Sequence, residues 1–180
     1  NKISRILSFF KSEIKQFYSN HEIFNIFRHN KRILLFLIEE KILIFDQSIA
    51  NCILSKKYSY SFILYFLNEI QPFINKKLKS YYQKEFDNVF KGNQDQFEEK
   101  RRIGENYDQL YQLIRNDKIE EFITYVNKTN LPLSSTIKRS IFETNIFLIK
   151  NMDPITNLTR GEPTLIEYAS FYGSIQIFKY

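Results

Sequence analysis

The sequence predicts an all-α chain of stacked helix pairs, and three observations carry that prediction. Apolar residues recur at intervals of three and four along nearly the whole chain, the period of one helix face. Only 4 Gly and 4 Pro stand among the 180 residues, too little turn chemistry for a sandwich or barrel of many short strands. Short apolar stretches come in pairs divided by polar turns, as helical hairpins do. With 43% hydrophobic and 26% charged residues, the composition is that of a globular protein able to bury a core.

The elements follow in order. Ile3, Ile6, Leu7, Phe10, Ile14 and Phe17 fall on one helical face, which Ser19, Asn20 and His21 interrupt. Two apolar clusters, 23–27 and 33–38, flank the polar stretch Arg28–Arg32 and read as a hairpin. Ile49, Cys52 and Ile53 begin a second pair, which Phe62, Ile63, Phe66 and Leu67 complete. Pro72 is expected to open a longer helix carrying Ile74, Leu78, Tyr81, Tyr82, Phe86, Val89 and Phe90, since proline suits a first helical turn.

Residues 91–106 are the polar stretch of the chain, with Gly at 92 and 104, and 93–105 within it reads as a linker. The charge block Glu98–Arg102 within it reads as a solvated helix turn with local ion pairs rather than a binding patch. The expected organisation is therefore a helical N-terminal region over 1–92, a linker over 93–105 and a region of repeats over 106–180. The chain starts without Met and stops within a helical pattern, so it is expected to be a piece of a longer protein, truncated at its C-terminal end.

Charge separates the two regions. Residues 1–92 hold 15 Lys and Arg against 8 Asp and Glu, a balance of +7, whereas residues 93–180 hold 11 against 12. A basic first half favours polyanions by Coulomb attraction. The abundance of Lys, Asn, Ile, Tyr and Phe, with only two Ala, is also the signature of an AT-biased genome.

Beyond the linker the paired pattern returns. Leu110, Leu113 and Ile114 form one face, Asn116 and Asp117 a turn, and Ile119, Phe122, Ile123 and Val126 the next face. Setting Leu113 on Ala169 places Asp117 on Gly173, Ile119 on Ile175 and Phe122 on Phe178, a constant offset of 56. A helical stretch around 137–149 and a loop over 154–163 are expected between the copies. Similarity at a fixed offset is the mark of repeat architecture.

The segment 163–180, PTLIEYASFYGSIQIFKY, resembles the centre of an ankyrin repeat. Leu165 matches the Leu of its T-P-L-H start, Ala169 a small residue of its first helix, Gly173 the Gly between its helices, and Gln176–Lys179 its E-I-V-K run. Thr and Pro are exchanged, Ile166 replaces the His, and Tyr168 replaces an Ala. The segments 31–40, 98–106, 114–127 and 140–150 are similar to an uncharacterised helical domain that precedes ankyrin arrays in expanded protozoan families. The resemblance implies an ankyrin-like α-solenoid that acts as a scaffold. Leu165, Ala169, Gly173, Ile177 and Phe178 would be structural, and Arg160, Glu162, Ser170 and Phe171 would touch a protein partner.

Signatures of catalysis are absent from the sequence. It contains no phosphate-binding glycine loop, dinucleotide fingerprint, nucleophile elbow or H-E-x-x-H. His21 and His29 have no acidic or Cys partner at metal spacing, and Cys52, the single cysteine, reads as a small buried apolar residue. Adjacent pairs such as Glu39–Glu40 point apart on a helix and form no carboxylate dyad. No run of about 20 apolar residues spans a bilayer. The sequence thus predicts a non-catalytic, intracellular interaction scaffold without metal, cofactor or small-molecule substrate, whose partner is another protein. The alternative is a polyanion- or nucleic-acid-binding domain using Lys76, Lys77 and Lys84, where lysines alternate with tyrosines.

Overall fold

The computed structural model describes residues 2–138, 140–145, 148 and 162–180. Its regular elements are helical, with an isolated antiparallel bridge between Thr136 and Thr164. The chain divides into two compact units, residues 1–103 and 104–180.

The first unit begins with α1 (Lys2–Phe9) and α2 (Lys11–Phe17). The face expected to run unbroken through 3–17 turns at Phe10, whose backbone leaves helical geometry at φ −92°, ψ 19°. Leu7 and Ile14 pack against the core, while Phe9 and Phe17 stay exposed. A hairpin follows, α3 (Asn20–Phe27) and α4 (Lys31–Glu39). Ser19 and Glu22 form a capping box at the start of α3, and the Asn30 side chain accepts the Ile33 N–H at the start of α4. Asp46 caps α5 (Gln47–Cys52), which runs into a π-helical turn at Ile53–Lys57. Ser59 caps α6 (Tyr60–Tyr65), followed by α7 (Leu67–Ile70). Leu34, Leu37, Ile49, Ile53, Phe66 and Ile70 fill the core between these helices.

Pro72 does not open the long helix as expected. It sits in a 3-10 turn, Gln71–Phe73, and α8 (Lys76–Val89) starts three residues later on an Asn75 cap. The cap satisfies an N–H of the first turn, which a proline cannot do from outside it. The expected linker over 93–105 also takes a different form. Residues Gln94–Ile103 are a helix, α9, whose Phe97 and Arg101 are both fully buried. Phe97 packs edge-on against Phe86 at 4.7 Å between ring centroids and so anchors the polar sequence around it.

The second unit holds α10 (Gln109–Arg115), α11 (Ile119–Thr129), α12 (Leu165–Tyr172) and α13 (Ile175–Lys179). The helix expected around 137–149 is replaced over 137–138 and 140–145 by irregular chain, while residue 148 is helical. Some of its backbone donors bond to distant residues, and others to side chains or carbonyls two or three residues back, as Glu143 N–H does to the Ser140 carbonyl. The Ile137 N–H donates to the Pro163 carbonyl at 2.7 Å, and the Thr144 N–H to that of Gly104 at 3.1 Å. The loop expected over 154–163 falls outside the described residues up to 161.

Candidate interaction surface

The offset of 56 seen in the sequence is present in the backbone. Residues Gln109–Arg115, moved by 56, fall on 165–171 of α12, and the start of α11 falls on that of α13. Both turns place one residue in the left-handed region, Asp117 at φ 50° and Gly173 at φ 69°. The residues after them also match, Lys118 at φ −84°, ψ 75° and Ser174 at φ −79°, ψ 77°. Gly173, which the resemblance places between two helices, thus takes a positive φ, and Asp is among the few other residue types that tolerate it.

The two pairs touch helix for helix, α10 with α12 and α11 with α13. Leu110, Ile114, Phe122, Leu165, Ala169 and Ile177 share one core. The Ser174 hydroxyl donates to the carbonyl of Ile114. Because that hydroxyl is engaged there, it does not cap its own helix. The Asp117 carboxylate does so from the preceding pair, accepting the N–H groups of Gln176 and Ile177 at 3.1 Å. A negative side chain at these unpaired donors is favoured by both hydrogen bonding and the helix dipole.

A polar group threads the same unit. Arg115 Nε pairs with Glu105 Oε2 at 3.1 Å, and its Nη1 donates to the Tyr168 hydroxyl at 2.8 Å. Glu143 is buried, and desolvation raises its carboxyl pKa above the ordinary value, against the lowering effect of backbone N–H donors from Asn145 and Asn106. Burial likewise raises the pKa of the Tyr168 and Tyr172 hydroxyls.

The residues expected to contact a partner fall as follows. Ser170 and Phe171 are exposed on α12, with Phe171 at 44% of its free surface. Glu162 is half-buried and accepts a long 3.5 Å hydrogen bond from Thr136. Arg160 lies outside the described residues. Among the residues expected to be structural, Leu165, Ala169 and Ile177 are buried, while Phe178 is 48% exposed.

In the first unit, Lys76, Lys77 and Lys84 are all exposed on α8. Tyr82 and Phe86 face the core from the opposite side, and Tyr81 is exposed beside them. His21 Nδ1 lies 3.4 Å from the Ser48 hydroxyl, and His29 Nε2 accepts from Arg28. Cys52 is half-buried. Among the described residues no His, Cys, Asp and Glu group is arranged to hold a metal, and no helix is long and apolar enough to cross a membrane. A shallow depression on α9 is lined by Asp95, Glu98, Glu99, Arg102 and Ile103.

Sequence reasoning missed two residues that organise these surfaces. Asp117 carries a signal, since an Asp stands where its counterpart is a Gly. Arg101 carries none, because its charged neighbours conceal its burial. No family model matches this chain, nor does any curated protein or any solved structure.

Proposed function

We propose that the chain is a non-catalytic protein-interaction module built on ankyrin-like stacked helix pairs. The observation that supports this reading best is the repeated helix pair of the second unit. Its two copies share their turn geometry, and the later copy presents Ile166, Phe171 and Phe178 to solvent. Exposed apolar and aromatic side chains on adjoining helices suit recognition of a folded protein surface. Ser170, Phe171 and Glu162 are the described contact residues of this reading, with Arg160 two positions before Glu162 in the sequence.

The second reading is polyanion binding by α8, and what favours it is the exposed row Lys76, Lys77 and Lys84 with Tyr81 alongside. Salt separates the two. Binding through phosphates weakens steeply as salt rises, whereas an apolar interface hardly responds. The deciding experiment is affinity capture from lysate at physiological salt, with and without nuclease. Discrete proteins that survive nuclease support the scaffold and are expected to be lost on Phe171→Asp. Captured nucleic acid that is lost with Lys76→Glu, Lys77→Glu and Lys84→Glu together overturns it in favour of α8.

A further inference from the structure

The apolar face that repeats through residues 3–17 is wider than the core it meets. Leu7 and Ile14 lie along one edge of it and pack against that core. Ile3, Ile6, Phe10 and Phe17 lie along the other edge and are exposed, with Phe9 edge-on to Phe10 at 5.0 Å between ring centroids. At 79% and 70% of their free surface, Phe9 and Phe17 are the most exposed large apolar side chains among the described residues. Helical hydrogen bonding runs up to the turn at Phe10 and away from it, from the Phe10 N–H to the Ile6 carbonyl and from the Ile14 N–H to the Phe10 carbonyl. The exposed edge therefore continues from α1 into α2. The same two helices are basic, with Lys2, Arg5, Lys11 and Lys15 against one acid, Glu13. Lys2 and Arg5, both exposed, stand one turn before Ile6 and Phe9. The exposed apolar residues of α12 and α13 have no such company, since Glu167 and Lys179 are the charged residues of those helices.

We propose that the exposed edge of α1 and α2 is a membrane-docking surface, which seats on an anionic phospholipid bilayer with Phe9 and Phe17 entering the acyl boundary. This surface belongs to the first unit and is independent of the interaction-module reading. Cations interleaved with exposed apolar side chains match a medium that is negatively charged at its surface and apolar beneath. Lys and Arg lay their methylene stems along that boundary while their charged ends stay among the headgroups. The excess of positive charge over residues 1–92 adds attraction from a distance. Rings that stand this far out of the fold enter a soft medium directly, whereas a folded partner needs a preformed pocket for each. Helices of eight and seven residues are too short to span a bilayer and suit lying in its surface. The opposing charge is Glu13, four residues from both Phe9 and Phe17, which docking carries toward the headgroups. It weakens binding and supplies a test.

The chain has no Trp, so Phe9→Trp places a single fluorescent reporter on this surface. The full 180-residue chain is mixed with vesicles of phosphatidylcholine and phosphatidylserine in two-to-one proportion, and with vesicles of phosphatidylcholine alone. The expected result with the anionic vesicles is a blue shift and quenching by brominated acyl chains, both weakening as salt rises. Binding to phosphatidylcholine alone is expected to be several-fold weaker. Phe9→Ser with Phe17→Ser is expected to lower cosedimentation with anionic vesicles roughly tenfold or more, while the melting temperature without lipid stays unchanged. Glu13→Gln is expected to raise cosedimentation several-fold. Four results overturn the proposal. One is the absence of quenching by brominated chains. Another is equal binding to both kinds of vesicle, which removes the role of charge. The third is vesicle binding that survives the Phe9 and Phe17 substitutions and is lost with Lys76→Glu, Lys77→Glu and Lys84→Glu together, which assigns it to α8. The last is a concentration-dependent blue shift of the lipid-free chain with dimers in sedimentation, which gives the face to a second copy.

Discussion

In the first unit, helices α3, α4, α5, α6 and α8 each start on a side chain that directly precedes them, namely Ser19, Asn30, Asp46, Ser59 and Asn75. In the second, Asp108 and Thr164 cap α10 and α12 in the same local way, but α13 is capped by Asp117, 59 residues before the donor it satisfies at Gln176. The first arrangement makes each helix end locally complete and leaves the core to hold the helices together. The second makes one pair the completion of another, with helix termini, a serine hydroxyl and apolar faces all shared across the junction. The cap that Asp117 supplies ties the start of α13 to the preceding pair, which a local cap does not do.

The largest test of this contrast is Arg101→Ala in the first unit. The guanidinium is fully buried, 2.7 Å from Glu69 Oε1, and stacks over the rings of Tyr65, Phe66 and Phe97. Removing it strands the partly buried Glu69 and opens a void among three aromatics, at an expected cost of about 3–5 kcal/mol in chemical denaturation. A cost near zero would show that α9 is held by Phe97 alone.

Next comes Gly173→Val. An added Cβ meets nothing within 4 Å, so the cost is that of the backbone alone. A β-branched residue at φ 69° is expected to lose roughly 2 kcal/mol, whereas Gly173→Asn is expected to lose much less because Asn tolerates this region. An unchanged melting temperature for the valine variant would remove the turn equivalence with Asp117. Smaller again is Asp117→Gly, which keeps the left-handed turn and deletes only the shared cap. Its expected cost is about 1 kcal/mol, with faster hydrogen exchange confined to the Gln176 and Ile177 amides.

Much of this was legible before the structure. The hairpin at α3 and α4 and the offset of the two pairs follow from local spacing and residue type, and the place of Gly173 between two helices from the resemblance. What was not legible depends on distant partners. The donors of Ile137 and Thr144 bond to Pro163 and Gly104, and no local pattern announces that they forgo a helix. Arg101 sits in a charge block whose composition is that of a solvated turn, and Tyr65 and Phe66 from elsewhere in the first unit, with Phe97 one turn before it, make it interior. Ser170 and Phe171 were nominated through the resemblance alone.

The smallest effect separates the two units by the sign of their response to pH. In the first, the Glu22 carboxyl is held below its ordinary value of 4.5, chiefly by the Ser19 backbone N–H and then by its hydroxyl. Its contribution is present above 4.5 and lost as pH falls through the lowered value. In the second, burial holds the Glu143 carboxyl above 4.5, so its contribution is present below 4.5 and lost as pH rises through the raised value. Glu22→Gln can keep the capping box, because Gln serves at that position, and should flatten the acid side of the stability profile. Glu143→Gln keeps an acceptor for Asn145 and should gain on the parent protein as pH rises from about 4 to about 7, the two converging at the acid end. Denaturation profiles of both variants against the parent decide it. If Glu143→Gln tracks the parent across that range, the carboxylate is solvated when ionised, and the polar group around Arg115 does not enclose it.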